Sequence, residues 1–270
     1  MDECVVIKQN ILEPLSGTSL FYPCSGNDLL VPIQLFSPFV TDFWFVDKGY
    51  FSPGHQDTHS YGLDIPATMQ RPLLADDEYY EFVGSSIKGP PQWDCNVRNI
   101  KPCVLSECYR HKPSNTVIRV HRRRGYGFSA FRKEISSIGV FFYRGDSQGE
   151  GGSGNLWLIR EHLDEVCNKL VDGGLIVTDG SNYGHSKKKS ELSKYNFKEI
   201  KKSGQEIINS YSSFSDRSGR QFQCVGYLGH RYGPTLIWQV YKLCVQENHK
   251  PGLMRDGRAK PVLFSSTFNR

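Results

Sequence analysis

The stretch from Thr18 to Asp47 constrains this chain more than any other part of it. Two apolar runs, SLFYP and DFWFVD, flank a short segment of helical character, LLVPIQLF. Strands that are apolar on successive rather than alternate residues bury both faces, as in a parallel sheet covered on each side. The turn CSGND joins the first strand to the helix, with Asp28 placed as an N-cap and Pro32 in the first helical turn, where its missing N–H is tolerated. Ser37-Pro38 closes the helix. The whole reads as a βαβ unit.

A second such unit follows between Ser137 and Asn182. IGVFFY is its first strand, RGDSQGEGGSGN a glycine-rich loop, and LIVTDG its second strand. The helix between them is predicted over LWLIREHLDEVCNKLV, because Leu156, Ile159, Leu163, Val166 and Leu170 recur at helical spacing. Gly173-Gly174 is its expected stop. The stretch Lys48–Asn115 is irregular and rich in Gly, Pro, His and Tyr, with YEFVGSSI and KPCVLSECY as candidate strands of a hairpin. TVIRVH resumes the sheet, and RGYGFSAFRKEI leads into a helix. FQCVGYLG and TLIWQVYKL, separated by a turn with Gly233-Pro234, form an antiparallel hairpin.

The expected fold is therefore a soluble α/β protein with a doubly wound, mostly parallel sheet, a C-terminal antiparallel hairpin and an insertion after the second strand. Its parts are the first βαβ half (1–47), an inserted irregular or β subdomain (48–115), the remainder of the domain (116–245) and a polar tail (246–270). With 270 residues, such a chain can bury a full core without disulfides or metal. The eight cysteines form no CxxC pair, and Cys167 and Cys244 sit in apolar runs, which suits free thiols in a reducing compartment. MDECVVIKQN has no secretory pattern, and no apolar run approaches bilayer length. The cytoplasm is the expected location, with no membrane partner.

In an open parallel sheet, a ligand with a ribose needs close backbone approach at the end of the first strand and a carboxylate at the end of the next. Tyr22, Cys24, Gly26 and Asp28 in FYPCSGND line the first position. Asp47, 21 residues beyond Gly26, supplies the second. Arg144 and Asp146 leave the strand IGVFFY at the same end of the sheet, where Asp146 could act as a general base and Arg144 could hold an anionic substrate by its fork of donors. Asp179, ending LIVTDG, is a further candidate.

These motifs, in this order, resemble the class I S-adenosylmethionine-dependent methyltransferase-like (Rossmann-like) superfamily, of which the chain would be a divergent member. FYPCSGND resembles its first motif, with one glycine in the turn, and FWFVD its second. IGVFFYRGDS, GGLIVTDG and the final hairpin resemble its later strands. The resemblance implies S-adenosylmethionine as cofactor, with Gly26 beneath its methionine part, Asp28 near its amino group, Asp47 on its ribose hydroxyls and Asp146 facing the methyl acceptor.

Two other readings stand beside methyl transfer. One is a non-catalytic module on the same fold that binds a nucleotide or a partner. The other is a dinucleotide (NAD-type) enzyme using GEGGSG (Gly149–Gly154), a G-x-G-x-x-G match before a helix. The net charge of +5 admits an anionic acceptor, and HRRRG (His121–Gly125) and Lys187–Lys189 could meet nucleic-acid phosphates. His55, Asp57 and His59, or Cys95, Cys103, Cys108 and His111, could chelate a metal, but their spacings depart from the close pairs of zinc sites, and no metal is expected. No nucleophile elbow or phosphate-binding P-loop occurs.

Overall fold

Alternation and continuity of apolar residues translate directly into the strands of the computed structural model, which describes residues 5–7, 9–26, 28–47, 72–89, 102–146, 155–180, 192, 213–229 and 235–242. In chain order these are β1 (Val5–Ile7), α1 (Gln9–Leu12), a 3-10 turn (Glu13–Leu15), β2 (Thr18–Pro23), α2 (Leu30–Phe36), β3 (Val40–Asp47), β4 (Tyr80–Lys88), β5 (Cys103–His111) and β6 (Thr116–Arg124). There follow α3 (Gly127–Glu134), β7 (Ile138–Tyr143), α4 (Arg160–Lys169), β8 (Leu170–Thr178), β9 (Phe214–Ser215), β10 (Gln221–Leu228) and β11 (Thr235–Tyr241).

All eleven strands belong to one sheet, ordered β1-β10-β11-β8-β7-β2-β3-β6-β5-β4, with β9 on β10. Only the central block β8-β7-β2-β3-β6 is paired parallel. Every other pairing is antiparallel. This corrects the expected doubly wound, mostly parallel α/β arrangement: the sheet is mixed and strand-dominated, and helices are few and short among the described residues. The reason lies in connection type. Parallel neighbours need a crossover, usually a helix, whereas antiparallel neighbours can be joined directly. β4 and β5 pair over their full lengths and β5 pairs with β6, so part of the stretch read as an insertion extends the main sheet. At the other side β10 and β11 form the expected hairpin, and β1 adds a further strand.

Both faces of the parallel block are packed. Phe21, Phe141 and Ile176 face α3 and α4 through Phe131, Leu163 and Val166. Leu20, Phe43 and Val140 face α2 through Ile33 and Phe36. Three local expectations change. Leu29, not Asp28, holds the cap position of α2, and it makes no side-chain cap bond. The second crossover helix starts at Arg160, and Trp157 and Leu158 are buried in the turn before it. Gly173-Gly174 lies inside β8 rather than ending the helix. A Cβ on Gly174 would stand 2.7 Å from Leu170 Cγ and 2.9 Å from the Val171 carbonyl, so the pair marks an irregularity where the register with β7 shifts.

The five parallel strands share one carboxyl edge, where Pro23, Asp47, Arg124, Tyr143 and Thr178 end them. The chain moves outward from β2 to β3 to β6, then returns to lay β7 against the opposite side of β2. Strand order thus reverses between β2 and β7, and a crevice at such a reversal is where open parallel sheets bind ligands.

Candidate site at the carboxyl edge of the sheet

The turn after β2 is built from its own backbone. Cys24 (φ 55°) and Gly26 (φ 51°) both take the left-handed conformation, natural for glycine and uncommon for cysteine. The Ser25 amide donates to the Val46 carbonyl at 3.3 Å, and the Asp28 amide to the Ser25 carbonyl at 3.0 Å. The Gly26 amide donates to Asp47 Oδ2 at 3.1 Å. The two residues that the sequence pairs at the ends of adjacent strands therefore meet, and the acid of β3 orients the glycine turn of β2.

Asp28 and Arg144 sit deeper. The Arg144 guanidinium forks onto the Asp28 carboxylate, with Nε to Oδ2 at 2.6 Å and Nη2 to Oδ1 at 2.9 Å. Their side chains are 0% and 2% exposed. The Tyr22 hydroxyl lies 3.0 Å from both Asp28 Oδ2 and the Arg144 carbonyl oxygen. Burial, and then the charge of Asp28, pushes the Tyr22 hydroxyl well above its ordinary range, so it stays a donor. Arg144, a candidate for holding an anionic substrate, is joined to Asp28 across the point where strand order reverses.

Asp146 stands beside this group. Tyr143 Oη lies 3.0 Å from Asp146 Oδ2 and 2.7 Å from the Asn155 carbonyl oxygen, so its one hydrogen serves either acceptor. Asn155 Nδ2 in turn reaches Cys24 Sγ at 3.5 Å. The Gly145 amide donates to Asp179 Oδ2 at 2.9 Å. Tyr22, Cys24, Gly26, Asp28, Asp47, Arg144, Asp146 and Asp179 thus gather at one edge. Tyr143 and Asn155 are additional members. Tyr143 reads as one more apolar position of a buried strand, and only its place as the last residue of that strand could have signalled a role.

The basic run is not a phosphate-facing patch. Arg122, Arg123 and Arg124 are all buried. Arg122 Nη2 lies 2.9 Å from Glu107 Oε2, and the Arg123 guanidinium binds Glu134 of α3 through Nε and Nη2. Glu107 also accepts from the Leu73 amide at 3.1 Å. Burial raises the Glu107 carboxyl above its ordinary range, although Arg122 opposes the shift.

A second polar group lies on the sheet face formed by β3, β6 and β5. Ser106 Oγ is 2.7 Å from His121 Nδ1, and His121 Nε2 is 3.5 Å from Asp42 Oδ1. A serine, a histidine and an aspartate in sequence suggest nucleophilic chemistry. Here, however, Ser106 sits in mid-ladder between β4 and β6, where the surrounding backbone amides serve strand pairing rather than an oxyanion. The group works as an ion-paired surface. His121 stacks on Trp44 with ring centroids 4.2 Å apart, and Arg119 grips Asp42 at 2.7 and 3.1 Å. Burial alone would raise the Asp42 carboxyl, but hydrogen bonds from His121 and Arg119 outweigh it and hold the group well below the usual carboxylate range. A depressed folded value means that the unfolded chain binds the proton first. The stabilisation is therefore present above the unfolded value near ~4 and is lost as pH falls below it. Asp42→Asn should remove about 1 kcal/mol at pH 7 and flatten the acid limb of stability in urea titrations run between pH 3 and pH 7.

GEGGSG, Lys187–Lys189, His55, Asp57, His59, Cys95, Cys244 and the tail lie outside the described residues. Among the described residues no group of three or more His, Cys, Asp or Glu could hold a metal ion. Cys24, Cys103, Cys108, Cys167 and Cys224 are free thiols, and burial pushes those of Cys167 and Cys224 up to about 12. No helix among the described residues is long and apolar enough to cross a membrane.

The chain matches no family model, no curated protein and no solved structure.

Proposed function

We propose that this chain binds S-adenosylmethionine at the carboxyl edge between β2, β3 and β7 and transfers its methyl group to an acceptor. The observation that carries the reading is the meeting of the Gly26 turn with Asp47, beside the place where strand order reverses. The donor set fits such a cofactor: a carboxylate at the end of β3 for ribose hydroxyls, and a left-handed glycine where a side chain would obstruct the methionine part. Asp47 keeps the ribose role. Asp28 acts through the turn, because its carboxylate is engaged by Arg144. Asp146, ordered by Tyr143, faces the acceptor and is the candidate for guiding its proton. The bound cofactor supplies the electrophilic methyl group, and the protein's own contribution is position.

The same charges count against a dinucleotide. The Arg144 guanidinium is neutralised by Asp28, while Asp47, Asp146 and Asp179 line the edge, an unfavourable setting for a pyrophosphate. A binding module without transfer needs only the turn and Asp47, so it shares the geometry and differs in outcome.

Thermal unfolding with S-adenosylmethionine, S-adenosylhomocysteine, NAD and ATP tests the reading. The first two should stabilise by about 2.7 kcal/mol at roughly 100 times their Kd. Asp47→Ala should abolish that shift, at a cost to the unliganded protein of about 1–2 kcal/mol for the lost bond from the Gly26 amide. A shift with NAD alone, or with none of the four, would overturn the cofactor assignment. Binding without methyl transfer to any acceptor would leave the module.

A further inference from the structure

We infer that Arg144 is a positioning residue, which sets the backbone of the turn 24–28 through Asp28 and thereby sets the ligand geometry of Asp47. The chain of contacts is continuous. Arg144, just past β7, forks onto Asp28. The Asp28 amide closes the turn on the Ser25 carbonyl, and the Ser25 amide is fixed to Val46. The Gly26 amide then holds Asp47. Tyr22 locks both ends of the pair, since its hydroxyl lies 3.0 Å from Asp28 Oδ2 and 3.0 Å from the Arg144 carbonyl oxygen. Three strand ends are joined in this way: β2 by Tyr22, β3 by Asp47 and β7 by Arg144.

Two physical arguments favour position over stability as the reason for the pair. A fully buried ion pair contributes little net stability compared with apolar side chains of similar volume, because removing two charges from water costs about what their attraction returns. What a pair of this kind does supply is direction. A guanidinium fork accepts a carboxylate in one plane, at two distances, and so leaves Asp28 and its backbone few orientations. The turn needs such a constraint, because Cys24 and Gly26 hold left-handed conformations that neither residue is confined to. The role assigned to Asp47 as a ligand contact rests on the methyltransferase reading; the control of the turn by Arg144 does not.

The experiment compares the wild type with the double variant Asp28→Leu/Arg144→Met, and with Tyr22→Phe, which removes one hydroxyl and keeps the ion pair. Three quantities are read on each full-length protein: melting temperature, amide hydrogen exchange over residues 24–28 and 47, and the thermal shift given by S-adenosylhomocysteine. The double variant should melt within a few degrees of the wild type, yet its turn amides should exchange at least about tenfold faster and its ligand shift should vanish. Tyr22→Phe should fold and should show a smaller rise in exchange at the same amides, so it decides the matter if the double variant does not fold. Wild-type exchange across the turn in the double variant, or in Tyr22→Phe where only that variant folds, would overturn the inference. If the turn loosens as expected but the wild type itself gives no shift with the ligand, the positioning role stands and the cofactor assignment falls.

Discussion

Arg144→Met alone is expected to destabilise the protein by about 3–5 kcal/mol, because it leaves the Asp28 carboxylate buried without its counter-charge. Asp28 is 2% exposed, and the Tyr22 hydroxyl at 3.0 Å cannot replace two charge-assisted hydrogen bonds. Urea unfolding of the single variant at pH 7 measures the loss. A loss below about 1 kcal/mol at pH 7 would show that water or rearrangement reaches Asp28, and that the pair is not sealed as the structure has it. Adding Asp28→Leu to the same variant should restore most of the lost stability, which separates charge burial from packing.

Trp157→Ala is the second large effect, at about 3–5 kcal/mol. Its side chain is fully buried, with its ring centroid 4.0 Å from that of Phe128, 5.4 Å from that of Phe141 and 5.6 Å from that of Phe131. It joins the turn before α4 to β7 and α3. A Cβ added to Gly127 would stand 3.2 Å from Trp157 Cζ2 and 3.1 Å from Pro23 Cβ, so the tryptophan also backs the end of β2. Truncation should lower the urea midpoint and weaken S-adenosylhomocysteine binding together, because the cavity would open at the end of β2, which leads into the turn that carries Gly26. Trp157→Phe, which keeps most of the volume, should recover the larger part of both. Equal stability of Trp157→Ala and the wild type would contradict the packing.

Much of this fold was legible along the chain because it depends on local pattern. IGVFFY is β7 residue for residue, and SLFYP and DFWFVD fall within β2 and β3. Unbroken apolar runs of that length, bounded by turn residues, have few other places to go. The antiparallel hairpin β10–β11 was equally visible through Gly233-Pro234 between two apolar runs. The architecture as a whole was misjudged because the hairpin of YEFVGSSI and KPCVLSECY was assigned to an insertion, whereas β5 pairs with β6 and so extends the main sheet. Exposed positions in β4 and β5, such as Glu81, Ser85 and Arg110, interrupt the apolar pattern, yet pairing of β4 on β5 and of β5 on β6 does not require both faces to be buried. The helix over Leu156–Val171 was overextended for a related reason. Trp157 and Leu158 are buried from a turn, and Leu170 from a strand, and apolar spacing alone does not separate these cases.

For the site, the sequence by itself determined which residues stand at strand ends, because that follows from where each apolar run stops: Asp28 after β2, Asp47 on β3, Arg144 and Asp146 after β7, and Asp179 after β8. Only the tertiary structure decided their partners. Arg144 and Asp28 are separated by 116 residues, and nothing local distinguishes that pairing from one with Asp146, two residues away. Strand order made the choice by laying β7 directly against β2. The same holds for the basic run, where Arg122 meets Glu107 and Arg123 meets Glu134. Side-chain type and period are properties of the chain, whereas the charge that a side chain presents to a ligand depends on which distant element folds against it.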